Sequence, residues 1–227
     1  MGASFRLNER GTRLRASWGR GFKLPSFYAL ADPIVGNPSL KPELSNSFDG
    51  AIEDSFLRGH LRPGLTVFWN SDTDLVDFSA RLFRLVNRSQ VQTRGAEFTL
   101  ALPVNRRLEF GAYASYLQWQ LPISSDPFRN VPHWQSNARV RWQMTRRCEI
   151  NLNTLLTGRR YDYQVPVSNQ GAVGGYARTD LAVGYTVSNN ISAFARFDNL
   201  LNARYHEYIG FPNPGIYARL GVNFRFH

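Results

Sequence analysis

The stretch that decides the fold lies near the end of the chain and reads Tyr217-Ala218-Arg219-Leu220-Gly221-Val222-Asn223-Phe224-Arg225-Phe226. Its residues fall into two alternating sets, one of Ala, Leu, Val and Phe and the other of Tyr, Arg, Gly and Asn. Successive side chains of a β-strand point to opposite faces. This period of two therefore predicts a strand with one apolar and one polar face.

The same alternation recurs upstream, which indicates an all-β protein. Leu14, Ala16 and Trp18 oppose Arg13 and Arg15 in the clearest example near the start of the chain. Counted in this way, the pattern predicts eleven strands. They span residues 2–8, 12–21, 44–55, 60–70, 91–102, 107–118, 134–143, 148–158, 177–187, 191–198 and 215–226.

The connections between these strands alternate in length. Short turns are predicted at residues 8–11, 56–59, 103–106, 144–147 and 188–190. Long connections are predicted at residues 22–43, 71–90, 119–133, 159–176 and 199–214. Short turns at one end and long loops at the other are typical of outer-membrane barrels. No run approaches the roughly 18 apolar residues that a transmembrane helix requires, so we expect an antiparallel transmembrane β-barrel.

A soluble β-sandwich is the alternative fold, because its strands alternate in the same way. A sandwich would not usually sort its loops so consistently by length. It would also hide its aromatic-rich face against a second sheet and leave the charged face in water. The alternation alone does not say which face points inward, so both folds remain open at this point.

The composition narrows the range of partners. The chain has 227 residues and a net charge of +10, with 25 arginines and only two lysines. These arginines are spread among strand-like segments and form no basic run or basic helix, so we expect no nucleic-acid partner. The single cysteine, Cys148, excludes an internal disulfide and a CxxC metal or redox site.

Enzymatic chemistry has little support in the sequence. The histidines have no metal-ligand spacing, so no metal site, cofactor or catalytic residue is predicted. They are His60, His133, His206 and His227. Some outer-membrane lipases and proteases carry a few catalytic side chains on a barrel, and a dispersed Ser/His/Asp arrangement remains an alternative.

Several motifs resemble one family in their order and spacing. Near the start lie Gly21-Phe22-Lys23-Leu24-Pro25-Ser26 and Gly36-Asn37-Pro38-Ser39-Leu40-Lys41-Pro42-Glu43. Near the end lie Phe197-Asp198-Asn199-Leu200-Leu201-Asn202-Ala203-Arg204-Tyr205 and Gly210-Phe211-Pro212-Asn213-Pro214-Gly215. Between them lie Asn87, Gly95-Ala96-Glu97 and Asp180-Leu181. Together they resemble the C-terminal barrel of TonB-dependent receptors of the vitamin B12 and siderophore type.

The resemblance implies a 22-stranded barrel closed by an N-terminal plug. Closed bacterial barrels have an even number of strands, so the odd count leads us to expect further strands before residue 1. We expect residues 1–227 to be the C-terminal part of the barrel, with the plug and the first strands outside this sequence.

The implied function is uptake of a metal chelate, such as a siderophore or cobalamin, across the bacterial outer membrane. The TonB–ExbB–ExbD complex would supply the energy through the plug. A passive porin-like channel is the alternative function. Two positions depart from the family pattern: Ile216 stands where an arginine is common, and His227 follows the aromatic Phe226.

Two sets of residues are candidates for functional contacts. Arginines and aromatic rings in the long connections suit an anionic chelate, although they also suit an aromatic belt and lipopolysaccharide phosphates. They are Tyr28, Phe128, Arg129, Trp134, Arg159, Arg160, Tyr161, Tyr163, Tyr205 and Tyr208. Charged residues expected to face the lumen and the plug are Arg139, Arg141, Asp180, Arg196, Asp198, Arg219 and Arg225.

Overall fold

The computed structural model describes residues 1–9, 11–122, 127–163 and 170–226. Eleven strands form one antiparallel sheet in which each strand pairs with its neighbour along the chain. They are β1 (Gly2–Arg6), β2 (Arg13–Lys23), β3 (Glu43–Glu53), β4 (Arg62–Ser79), β5 (Arg84–Asn105), β6 (Leu108–Gln120), β7 (Trp134–Gln143), β8 (Cys148–Thr157), β11 (Tyr176–Ser188), β12 (Ile191–Asp198) and β15 (Tyr217–Phe224). The predicted all-β fold and its eleven strands are confirmed.

The remaining elements are small and lie in the connections. A single-turn helix, α1 (Phe27–Ala31), lies between β2 and β3, and a 3₁₀ turn (Leu57–Gly59) lies between β3 and β4. Two two-stranded sheets lie in the last two long connections. One consists of β9 (Arg160–Tyr163) and β10 (Gln170–Val173), and the other of β13 (His206–Tyr208) and β14 (Phe211–Pro212). No helix in these described ranges is long and apolar enough to span a bilayer.

One predicted connection is wrong. Residues 71–90 were expected to form a long loop, but β4 and β5 continue through most of this range and stay paired from Arg62 with Ala101 to Ser79 with Arg84. Only residues 80–83 form the turn. In this upper part of the hairpin each face mixes apolar and polar residues: Leu75 lies opposite Arg88 on one face, and Val76 lies opposite Asn87 on the other. It therefore lacks the alternation that marks the lower strands.

The sheet has one apolar face that is left exposed across all its strands. In β2 and β3 this face carries Leu14 opposite Ile52 and Trp18 opposite Phe48, and Phe48 in turn lies opposite Trp69 of β4. Leu220 on β15 is 77% exposed. We call this surface the apolar face. In the described residues no second sheet covers it, and an exposed apolar surface of this extent suits lipid rather than water. The arrangement favours the barrel over the sandwich.

The opposite surface, which we call the polar face, carries cross-strand ion pairs. Arg15 reaches Glu53 at 2.6 Å and Arg141 reaches Glu149 at 3.0 Å. Aromatic rings also lie across glycines on this face: a β-carbon added at Gly221 would collide with the ring of Phe194. The polar face is therefore held together by side chains that bridge neighbouring strands.

Candidate functional site: a loop cluster at the long-connection end

Three long connections and the tip of the β4–β5 hairpin meet at one end of the sheet. Arg129 and Tyr161 form a parallel bridge, and the backbone N–H of Asn130 donates to the carbonyl of Tyr161 at 2.7 Å. The ring of Tyr163 stacks on Phe78 of the hairpin with 6.3 Å between centroids. We call this site the loop cluster. It comprises Phe78, Arg88, Trp119, Phe128, Arg129, His133, Arg160, Tyr161, Asp162, Tyr163, Tyr176, Tyr205 and Tyr208.

Asp162 is the buried anchor of the loop cluster. Its side chain is only 1% exposed, and it accepts hydrogen bonds from Nε of Arg129 at 2.7 Å and from the backbone N–H of Ile209 at 2.6 Å. Burial opposes ionisation of this carboxyl, but hydrogen bonds from Arg129, Ile209 and Tyr163 outweigh burial and lower its pKa below the ordinary value. Asp162 therefore remains a carboxylate and ties three connections together.

Arg129 is held between two tyrosine rings. Its guanidinium carbon lies 4.8 Å from the ring centroid of Tyr163 and 5.9 Å from that of Tyr208. Only Nε is used for Asp162, and its terminal amino groups make no hydrogen bond to a described residue. The side chain remains 40% exposed. Arg129 can therefore present free donors, flanked by aromatic faces, to a ligand that enters from this end.

Arg160 is a second arginine of the loop cluster, but it is buried. It is 7% exposed, its guanidinium carbon lies 5.4 Å from the ring centroid of Tyr176, and it donates to the backbone carbonyls of His206 and Glu207. Tyr176 stacks on Tyr205 with 4.1 Å between centroids. Among the residues that the structure describes, none is a hydrogen-bond partner of the Nη1 atom of Arg160. Arg160 therefore mainly holds β9 against β13, and its Nη1 donor is not used by a described residue.

Aromatic side chains extend the loop cluster onto the polar face. Trp119, near the end of β6, stacks on His133 at 4.0 Å and meets Phe128 edge-on at 5.9 Å. The guanidinium carbon of Arg88 lies 5.5 Å from the ring centroid of Phe128, and its Nη2 lies 2.6 Å from Asp77 Oδ2. The rings thus form a continuous patch at the long-connection end of the polar face.

The sequence analysis missed six residues of the loop cluster, which are Phe78, Arg88, Trp119, His133, Asp162 and Tyr176. Trp119 could have been found by extending the alternation of Tyr113 and Ser115 past residue 118, where the predicted strand stopped. His133 was considered only as a metal ligand. Arg88 and Asp162 fall in segments read as loops, where a charged side chain is usually solvated, and no sequence signal marks their burial.

The structure brings together seven of the ten predicted ligand-contact residues. The seven are Phe128, Arg129, Arg160, Tyr161, Tyr163, Tyr205 and Tyr208. Tyr28 lies on α1 and is 63% exposed, and Arg159 is exposed beside Arg160. Trp134 lies on the apolar face, where its ring packs 4.6 Å from Tyr116, a position suited to an aromatic belt.

The predicted lumen residues in the strands all lie on the polar face, and most are paired there. Arg139 lies 3.5 Å from Glu109, and Arg219 lies 2.5 Å from Asp198. Asp180 pairs with Arg178 at 3.1 Å. The remaining contacts are those of Arg141 with Glu149, Arg196 with the ring of Phe194, and the backbone N–H of Arg225 with Asn190.

The family-like motifs act mainly as loop supports. Asn37 Nδ2 donates to the carbonyl of Leu85 at 2.9 Å. Asn87 Oδ1 accepts from the backbone N–H of Lys41 at 2.8 Å, and its Nδ2 donates to Asp74 O at 2.6 Å. These bonds fasten the connection between β2 and β3 to the β4–β5 hairpin. Asn199, 2% exposed, similarly closes the turn before Tyr205 through the backbone of Ala203.

Known proteins share this architecture. The siderophore receptor PirA from Acinetobacter baumannii superposes with a TM-score of 0.80 at 17% identity, covering 98% of this chain and 40% of PirA. The copper transporter OprC superposes with a TM-score of 0.78 at 16% identity, covering 98% of this chain and 38% of OprC. The ferripyoverdine receptor of the outer membrane of Pseudomonas aeruginosa superposes with a TM-score of 0.76 at 16% identity. The match covers 98% of this chain and 32% of the receptor. The chain thus spans well under half the length of these receptors.

The sequence itself matches a family described as TonB dependent receptor-like, beta-barrel, over residues 1–200. That match covers most of the 227 residues and all but the last strand of the sheet. The solved structures with the same fold are receptors and transporters. The chain belongs to the TonB-dependent receptor-like β-barrel family.

Proposed function

We propose that this chain is the C-terminal barrel portion of an outer-membrane receptor that imports a metal chelate, such as a siderophore or cobalamin. The TonB–ExbB–ExbD complex would supply the energy through a plug domain. The observation that carries the proposal is the convergence of Arg129, Tyr163 and Tyr208 at the long-connection end, in a chain that belongs to this family.

The chemistry of the loop cluster suits an anionic chelate. Arg129 offers free N–H donors, and charge-assisted hydrogen bonds to oxygen anions are stronger than neutral ones. Tyr163 and Tyr208 flank it with flat rings on which aromatic groups of a chelate can stack. The buried Arg160 adds positive charge to the loop cluster, and no described residue uses its Nη1 donor. The metal itself would be cargo, held by the chelate rather than by protein side chains.

The two faces of the sheet fit this role. The apolar face would contact the outer membrane, with the long connections on the extracellular side. The polar face would line the lumen and contact the plug, where Arg139, Arg141 and Arg219 offer donors that are already oriented by acidic partners. No step of covalent catalysis is part of the proposal.

A passive porin-like channel is the second candidate. It would conduct solutes without TonB, whereas a receptor of the proposed kind depends on TonB for uptake. The family match and the receptors of the same fold favour the energised importer.

Ligand binding is tested with the full chain in detergent micelles. Ferric catecholate, ferric hydroxamate and cyanocobalamin are titrated while tryptophan fluorescence is recorded, because Trp119 lies in the loop cluster. We expect one chelate class to quench the signal, and Arg129→Gln to weaken its binding about tenfold or more. Arg81→Gln, in the exposed turn 80–83, is the matched control. Equal binding by Arg129→Gln and the unchanged chain would contradict the proposal.

A further inference from the structure

Two short turns of the sheet carry the same pattern of residues. They are Val104-Asn105-Arg106-Arg107 at the β5–β6 turn and Met144-Thr145-Arg146-Arg147 at the β7–β8 turn, and we call them the arginine turns. The side-chain oxygen of Asn105 accepts from the backbone N–H groups of the two residues after the first arginine, at 2.8 and 3.0 Å. Thr145 accepts in the same way at 3.2 and 3.0 Å. Each turn therefore places two consecutive arginines at the end of its hairpin.

The fold of these turns does not require arginine. The next hairpin along the sheet, β11–β12, turns through Ser188, Asn189 and Asn190, and the hydroxyl of Ser188 accepts from the backbone N–H of Asn190 at 3.4 Å. This turn has uncharged residues where the arginine turns have arginines. Turn geometry favours Asn, Asp, Gly, Ser and Pro rather than arginine. The paired arginines therefore indicate a role outside the turn itself.

The four arginines of these turns are exposed and form no ion pair with a described residue. The acidic residues closest to them in sequence already have partners, because Glu109 lies 3.5 Å from Arg139 and Glu149 lies 3.0 Å from Arg141. An exposed group of cations without acidic neighbours attracts an anionic partner from outside the chain.

The two arginine turns are direct neighbours. The backbone N–H of Gln143, at the end of β7, donates to the carbonyl of Arg107 at 2.7 Å. The centres of the two hairpins are two strands apart, which corresponds to about 10 Å. Four positive charges are therefore concentrated on one side of the short-turn end of the sheet.

Apolar side chains lie directly beside these charges. Val104 and Met144, which begin the two turns, are both exposed. On the apolar face, the last row at this end contains Leu108, Trp142 and Ile150 in cross-strand register. An acidic protein in water would gain nothing from exposed Val and Met next to the arginines. Apolar, tryptophan and arginine side chains side by side are instead typical of a membrane interface, where acyl chains meet phosphates.

We propose that the arginine turns bind the headgroups of anionic phospholipids in the inner leaflet of the outer membrane. Arginine suits this ligand because its planar guanidinium pairs with two phosphate oxygens at once. A headgroup with net negative charge is favoured over a zwitterionic one, whose amine is repelled by the four arginines. Val104 and Met144 would contact the adjoining acyl chains.

This inference rests on the orientation given in the proposed function, with the short-turn end on the periplasmic side. It does not depend on which chelate is imported. The loop cluster with Arg129 lies at the opposite end of the sheet, so lipid binding and chelate binding can be measured separately on the same chain.

Native mass spectrometry of the full chain tests the proposal, with the chain released from detergent micelles that contain equal amounts of phosphatidylglycerol and phosphatidylethanolamine. We expect the unchanged chain to retain mainly phosphatidylglycerol. The quadruple variant Arg106→Asn/Arg107→Asn/Arg146→Asn/Arg147→Asn gives both turns the residues of the β11–β12 turn. It should fold normally and bind phosphatidylglycerol about tenfold more weakly. Circular dichroism verifies that the sheet has formed.

Two further variants separate the arginine turns from total charge. Arg81→Asn/Arg84→Asn removes two exposed arginines from the long-connection end and should bind phosphatidylglycerol like the unchanged chain. Arg106→Asn/Arg107→Asn removes the same charge from one arginine turn and should lose part of the binding. Asn189→Arg/Asn190→Arg adds a third such turn and should increase the amount of phosphatidylglycerol retained.

Equal phosphatidylglycerol binding by the quadruple variant and by Arg81→Asn/Arg84→Asn would overturn the proposal. Equal retention of the two lipids by the unchanged chain would also overturn it, and would leave an acidic periplasmic protein as the better partner. Chelate titration of the same samples keeps the two proposals apart. Loss of chelate binding in Arg129→Gln with phosphatidylglycerol still retained supports both sites.

Discussion

The Nε atom of Arg129 lies 2.7 Å from Oδ1 of Asp162, and the two residues come from different connections 33 positions apart in the sequence. The carboxylate is almost fully buried, whereas the arginine remains partly exposed. Asp162 therefore fixes the position of the loop cluster, and Arg129 presents its positive charge to solvent.

Replacing Asp162 by asparagine should loosen the loop cluster without unfolding the sheet. Asparagine keeps the shape but removes the charge that attracts Arg129 and the backbone N–H of Ile209. We expect local opening to become easier by about 1–3 kcal/mol. Hydrogen exchange should rise in residues 127–133 and 205–213 but not in β7 or β8. Glu53→Gln, which breaks an exposed pair with Arg15, should leave exchange in these segments unchanged.

The loop cluster should also open in acid. The pKa of Asp162 is lower in the folded protein than in the unfolded chain, so ionisation stabilises the folded state. That contribution is fully present above the ordinary carboxyl pKa of about 4 and is lost as the pH falls through the lower, folded value. Ligand affinity and exchange protection should therefore stay constant from neutrality to about pH 5 and decline below pH 4. In Asp162→Asn this decline should be reduced.

Asn87 should be important for the stability of the connection between β2 and β3. Asn87→Ala removes hydrogen bonds to Lys41 and Asp74, and leaves their backbone groups without these partners. We expect a loss of about 1–3 kcal/mol, with proteolysis concentrated in residues 36–43. Asn223→Ala, at an exposed position on β15, is the control and should behave like the unchanged chain. Equal proteolysis of the two variants would exclude a support role for Asn87.

Gly221 should tolerate a methyl group only when the ring above it is removed. The atoms nearest to a β-carbon there all belong to the ring of Phe194. Gly221→Ala alone should lower stability by about 1–3 kcal/mol, because the ring must leave its rotamer or the strands must separate. In Gly221→Ala/Phe194→Ala the penalty for the methyl group should vanish. A thermal-unfolding cycle of the four proteins measures this coupling, and additive changes would refute it.

The sequence predicts the sheet well because alternate residues of each strand belong to an apolar and a polar face. Leu14, Trp18 and Leu220 could be assigned to one face from spacing alone, and the structure agrees. The same signal is lost in the upper part of the β4–β5 hairpin, where each face mixes apolar and polar residues. That is why the upper part of β4–β5, with Asp77 and Arg88, was mistaken for a loop.

The loop cluster could be predicted only by residue type. Arginines and tyrosines in long connections pointed to Arg129, Tyr163 and Tyr208, but their proximity depends on contacts across 33 to 79 positions of the chain. Asp162 gave no signal, because an acidic residue between two tyrosines is equally common on a solvated surface. Its burial arises from the packing of three connections against one hairpin.

The dependence of uptake on TonB distinguishes an energised receptor from a passive channel. In the bacterium that encodes the chain, uptake of the radiolabelled chelate identified by binding is measured with the gene intact, with Arg129→Gln, and with TonB deleted. We expect saturable uptake that is lost without TonB and weakened by Arg129→Gln. Uptake that continues at the same rate without TonB would contradict an energised receptor and indicate a passive channel.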